Sequence, residues 1–114
     1  MRDANDFDRY FRGTKQIDML TKIAELTSYY NIPLVLITPP CHDSYKSYLY
    51  PELKEFNDSI ATSLYEKYGV LHLDYFDYEM ADSCYRDSNH LNGFGSEVFT
   101  PILVDTLKKL SLIN

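Results

Sequence analysis

Apolar residues at Ile17, Leu20, Ile23, Ala24 and Leu26 recur at three- and four-residue spacing, and charged residues occupy the opposite face. That periodicity predicts an amphipathic helix from about Thr14 to about Tyr30, stopped by Asn31 and Pro33. Leu34-Val35-Leu36-Ile37 is a continuous apolar run between proline signals, the pattern of a strand covered on both faces. The segment from Pro39 to Tyr50 reads as a loop. A second helix is predicted from Pro51 to Tyr68, with Leu53, Phe56, Ile60 and Leu64 as its apolar stripe, Pro51 in its first turn and Gly69 at its end. Val70 to Asp74 predicts the next strand, Tyr75 to Arg86 a loop with room for one helical turn, and Gly95 to Leu110 the last helix. Residues 1–13 form an irregular lead-in that Phe7, Tyr10 and Phe11 would pin to the domain.

The resulting order is helix, strand, helix, strand, helix. Right-handed crossovers make the two strands parallel neighbours with helices against the sheet, which is an α/β domain spanning residues 14–114. Sheets of this kind normally hold about 4 to 6 strands, so two strands leave an edge to be covered. The chain therefore reads as the carboxyl portion of a larger α/β domain, or as a unit that pairs through its sheet edge, as a homodimer would.

Composition narrows the function classes. The chain has 114 residues and a formal net charge of −6, so a nucleic-acid backbone is not the expected partner, and Lys108-Lys109 reads as a charge bias at a helix C-terminus. No apolar run approaches the roughly 20 residues of a membrane-spanning helix. Cys41 and Cys84 lack a CxxC spacing and read as unpaired, partly buried thiols. Eleven tyrosines supply boundary packing, with cleft contacts as the alternative.

The densest chemistry lies in Asp87-Ser88-Asn89-His90-Leu91-Asn92-Gly93-Phe94-Gly95, ahead of the apolar stretch Val98 to Leu110. A carboxylate three residues before an imidazole is an orienter beside a general base, able to activate a hydroxyl. Taken together, Asp87-x-x-His90, the following Leu91-Asn92-x-x-Gly95, the final helix and the Ile-Pro-Leu-Val-Leu-Ile-Thr-Pro-Pro strand exit resemble the carboxyl half of an SGNH/GDSL hydrolase-like domain. The likeness is nearest to the branch that includes bacterial cell-envelope acyltransferase-like proteins. It implies a three-layer, flavodoxin-like fold and a serine esterase or O-acyltransferase mechanism in which His90 is the base and Asp87 its orienter. It also implies an acyl-ester or acylated-polymer substrate, no cofactor and no metal, and a cell-envelope or extracytoplasmic location. The family's Gly-Asp-Ser nucleophile block and its oxyanion blocks have no counterpart here, so the resemblance implies the Asp/His half of the triad, inactive alone, completed by an amino-terminal portion of the domain.

Alternatives stay open on the residues themselves. Asp87 or Asn89 would serve as a helix cap with His90 pinning the loop, and the whole chain would then be a non-catalytic interaction module. His42, Asn89 and Asn92 are the further cleft candidates, with a locally bonded loop histidine as the other reading of His42. His72, between Leu71 and Leu73, reads as a packed structural histidine. Ser44, Ser47, Ser83 and Ser88 lack a nucleophile-elbow pattern. Asp74, Asp77, Asp82, Asp87 and His90 show no metal-ligand spacing, and Gly93 and Gly95 read as a tight approach to the last helix rather than a phosphate cradle.

Overall fold

The computed structural model describes residues 14–114. The expectation that Phe7, Tyr10 and Phe11 pin the lead-in lies outside the described residues. Described in chain order, the elements are α1 (Thr14–Tyr29), β1 (Val35–Thr38), the one-turn α2 (Asp43–Lys46), α3 (Pro51–Tyr68), β2 (Leu71–Asp74), a 3-10 turn (Asp82–Cys84), β3 (Tyr85–Asp87), β4 (His90–Leu91) and α4 (Gly93–Lys109). This is a mixed α/β chain with one parallel strand pair, β1 beside β2, and one antiparallel pair, β3 beside β4. No helix of the described residues is long and apolar enough to cross a membrane.

The chain divides into two compact units. One comprises the described residues up to Thr38 together with Tyr48–Leu73, and the other Pro39–Ser47 with Asp74–Asn114. In the first unit α1 packs on α3, and the core is Ala24, Leu64 and Val70, wrapped by Leu20, Leu34, Leu36, Ile60 and Tyr68. Burying a leucine such as Leu64 contributes about 1.5–3 kcal/mol. Ala24, fully buried, lets the two helices approach. The end of α1 is a Schellman motif: Asn31 takes the left-handed conformation (φ 56), its N–H donates to the Ser28 carbonyl, and Ile32 N–H donates to Thr27 at 2.8 Å. Gly69 closes α3 in the same backbone region, at φ 70.

β1 begins and ends one residue later than the apolar run suggested, and it is not covered on both faces among the described residues. Ile37 is 43% exposed. Alternation is the cause: Leu34 and Leu36 pack against the Ala24, Leu64 and Val70 core, and Ile37 points to the opposite face of the strand. His72 is partly buried on β2, and its Nε2 lies 2.7 Å from the Thr38 hydroxyl, a cross-strand polar bond that accounts for an imidazole between two leucines.

The second unit carries the Asp87-x-x-His90 segment and α4. Tyr75 stacks edge-on against the buried Phe99 of α4, with ring centroids 5.0 Å apart, and its hydroxyl donates to Thr106 at 2.7 Å. α4 packs against the 3-10 turn through Gly95. A Cβ at Gly95 would overlap the Cys84 carbonyl oxygen and sit 2.9 Å from its carbon, so the glycine is required by backbone approach rather than by its torsions. Lys108 and Lys109 fall in the last turn of α4, where cations favour the helix dipole.

Candidate active site: two histidine–carboxylate pairs

The Asp87-x-x-His90 run lies on a β-hairpin, not on a bare turn leading into α4. Two-residue spacing between the strands, Ser88-Asn89, makes Asp87 and His90 direct partners, while Tyr85 faces Leu91 across an irregular register. The sequence offered no alternating run long enough to announce strands of three and two residues. Leaving the hairpin, Asn92 caps α4: its side-chain oxygen accepts from Gly95 N–H at 2.8 Å and its amide donates to the Ser83 carbonyl at 2.7 Å. Asn92, expected to line a cleft, is thereby committed to capping.

One carboxylate oxygen organises the hairpin end. Asp87 Oδ1 accepts the Asn89 backbone N–H at 3.1 Å and lies 2.8 Å from His90 Nδ1. These two donors favour the charged form, so the hydrogen bond from His90 first, and that from Asn89 second, hold the Asp87 carboxyl below its ordinary value. An ionised carboxylate only accepts, which places the imidazole proton on Nδ1 and leaves Nε2 as the lone pair of neutral His90. The His90 side chain is 56% exposed, and its ring makes no other hydrogen bond among the described residues. The carboxylate and the imidazole therefore meet, with Nε2 exposed and unbonded among the described residues. No described serine hydroxyl is bonded to it: Ser88, within the turn, uses its carbonyl to accept from His42 N–H at 3.2 Å. Asn89 is exposed and contributes its backbone rather than its side chain to this arrangement.

A second pair was not visible in the sequence. His42 Nε2 lies 2.8 Å from Asp82 Oδ1, forty residues along the chain, and its Nδ1 lies 2.8 Å from Ser44 Oγ while accepting the Ser44 backbone N–H at 3.1 Å. His42 is the N-cap of α2, and its ring meets Tyr85 edge-on at 5.1 Å. Together with Cys41, Lys46, Glu79, Asp82 and Tyr85 it lines a pocket of ≈ 160 Å³. His42-x-Ser44 after a strand exit was a local signal; nothing in the sequence tied Asp82 to it.

The surrounding groups are held in fixed charge states. Desolvation pulls the Lys46 ammonium down, but hydrogen bonding and charge from Asp77 (3.1 Å) and Asp43 (3.5 Å) outweigh it and raise it overall. Burial pushes the Cys41 thiol up, with the Lys46 charge a smaller opposing effect, so Cys41 is protonated at neutral pH. Cys41 and Cys84 are both free and buried. The carboxylates near the strand exits go to separate partners: Asp77 to Lys46, Asp82 to His42, Asp87 to His90, and Asp74 to the Phe76 N–H among its contacts. No family model, curated protein or solved structure matches this chain.

Proposed function

We propose that this chain supplies the Asp/His half of an SGNH-type serine ester hydrolase or O-acyltransferase centre, in a three-layer α/β domain whose amino-terminal portion carries the nucleophile. The observation that carries the reading is the 2.8 Å contact between Asp87 Oδ1 and His90 Nδ1 with Nε2 open. In that role His90 Nε2 takes the proton of an incoming serine hydroxyl as the serine oxygen bonds to an ester carbonyl carbon. Asp87 holds the ring and stabilises the imidazolium, and the same proton then leaves on the departing alcohol. The substrate class is an acyl ester or an acylated polymer. The sequence around Asp87 and His90 contributes neither the attacking serine nor oxyanion donors, so this pair acts only when another segment brings them.

The test extends the protein through about 100 upstream residues, the remainder of an ordinary domain, and measures short-chain ester turnover. We expect turnover in the extended protein to fall about 10²–10⁴-fold in the His90→Ala form, the share a general base contributes, and we expect no His90-dependent turnover in the present chain alone. An extension without a serine nucleophile, or one whose turnover ignores His90→Ala, would remove the reading.

One observation favours a second reading, a non-catalytic module that pairs with another copy of itself. Met19, Ile23 and Leu26 of α1 are 61%, 46% and 59% exposed, and β1 has one strand neighbour among the described residues. Apolar helix surface and an open sheet edge are the ordinary materials of a two-fold interface.

A further inference from the structure

We propose that Asn92 is a spontaneous modification site: its side-chain amide is lost by attack of the Gly93 nitrogen, and the aspartate or isoaspartate formed no longer holds the β3–β4 hairpin to the 3-10 turn.

The fold does not require glycine at position 93. Gly93 opens α4 without a positive φ, a Cβ there would meet nothing within 4 Å, and the residue is exposed. Alanine fits the position and favours a helix more than glycine does. Gly95, two residues on, is the opposite case, since the Cys84 backbone excludes a side chain there. What glycine does supply at position 93 is an unhindered backbone nitrogen directly after an asparagine, the arrangement in which an asparagine side chain cyclises most readily.

Both ends of the Asn92 amide are in use, for different purposes. Oδ1 accepts the Gly95 N–H at 2.8 Å, and Nδ2 donates to the Ser83 carbonyl at 2.7 Å and to the Tyr85 carbonyl at 3.4 Å. These partners fix which end is oxygen and which is nitrogen, because an N–H only donates and a carbonyl only accepts. Aspartate caps a helix as well as asparagine does, so the bond from Gly95 survives the conversion. The tie to Ser83 does not: a carboxylate oxygen in the place of Nδ2 sets two acceptors 2.7 Å apart with no proton between them. Isoaspartate loses both bonds, because its extra main-chain carbon moves the cap oxygen away from Gly95. Only the unmodified amide caps α4 and anchors the hairpin end together.

In the reaction, the Gly93 nitrogen bonds to Asn92 Cγ, the Cγ–Nδ2 bond breaks, and ammonia leaves with the proton that the Gly93 nitrogen gives up. Water then adds to one of the two carbonyl carbons of the succinimide ring and opens it, to aspartate by one cleavage and to isoaspartate by the other. In the folded state the side chain is held by Gly95 and Ser83, so cyclisation proceeds from the locally opened cap. Two hydrogen bonds of ordinary net strength make conversion in the folded chain roughly 10–100-fold slower than in a free peptide.

This inference does not rest on the ester-hydrolase reading. The test incubates the present chain and a synthetic peptide spanning residues 88–96 at mildly alkaline pH and follows conversion by peptide mass spectrometry. We expect Asn92 to convert ahead of Asn31, Asn57 and Asn89, which precede Ile32, Asp58 and His90, and more slowly in the chain than in the peptide by that factor. Gly93→Ala should lose most of the conversion while its urea midpoint stays at or above the parent's. Asn92→Asp should lower the urea midpoint and speed hydrogen exchange across the hairpin. Conversion in the chain as fast as in the peptide, other asparagines converting while Asn92 stays intact, equal conversion in Gly93→Ala, or an Asn92→Asp form with the parent's midpoint and exchange would each overturn the proposal.

Discussion

Asp87 and His42 illustrate how a single side-chain contact sets the state of a group. Asp87 is solvent-exposed, yet one of its oxygens receives donors from both His90 and Asn89, and its carboxyl is held below the ordinary value by them. A group whose folded-state value is depressed stabilises the fold at pH above its unfolded value, and that contribution disappears as pH falls through the folded one. The window here lies at and below the ordinary carboxyl value of 3.8. Carbon-detected NMR titration should find the Asp87 midpoint under that value in the parent and shifted upward in His90→Ala. A midpoint that does not respond to His90→Ala would show that the pair does not exist in solution. Both histidines use a carboxylate to settle the tautomer, but in opposite senses: His90 exposes Nε2, and His42 presents Nδ1 to Ser44.

At the scale of elements, two glycines do different physical work. Gly69 has open space around the position of a Cβ and a φ of 70, so Gly69→Ala loses only what a side chain costs in the left-handed region, about 1 kcal/mol. Gly95 has helical torsions but no room beside the Cys84 carbonyl, whose oxygen also accepts from Asn92 N–H at 2.9 Å. The backbone at Cys84 is fixed by that bond, so Gly95→Ala must displace α4 from the 3-10 turn and should cost more than Gly69→Ala, about 1–3 kcal/mol as for other overpacked sites. Urea unfolding of the two variants checks the order; equal midpoints would refute the close-approach account. The hairpin β3 and β4 depends on the same anchoring, since the cap at Asn92 ties its end to Ser83.

At the scale of the whole molecule, surface and charge govern association. The net charge of −6 opposes contact between copies, while the exposed Met19, Ile23 and Leu26 stripe and the single-neighbour β1 favour it. Repulsion among exposed charges is screened within about 8 Å at physiological ionic strength, whereas apolar burial is not. Sedimentation velocity across protein concentration should therefore show self-association that strengthens with salt and weakens in Leu26→Glu. A monomer at every concentration and salt would leave the self-pairing reading without support.

Local information determined the three long helices, with α4 starting two residues before the expected Gly95, but not the one-turn α2, which lies in the segment read as a loop. Periodicity, Pro51 and Gly69 placed α3 at the bounds observed, and the apolar runs located β1 and β2 to within a residue, because these signals act within a few residues of one another. Asp87 and His90 were legible for the same reason: three residues apart, any tight reversal brings them together. Tertiary structure alone decided the rest. Whether Ile37 is covered depends on what packs on its face of the sheet and not on its own run. The hairpin is too short to have a periodicity, and its pairing rests on the turn and on the Asn92 cap. Asp82 meets His42 across forty residues of chain, and no local rule specifies a hydrogen bond whose partners are joined only by the folding of everything between them.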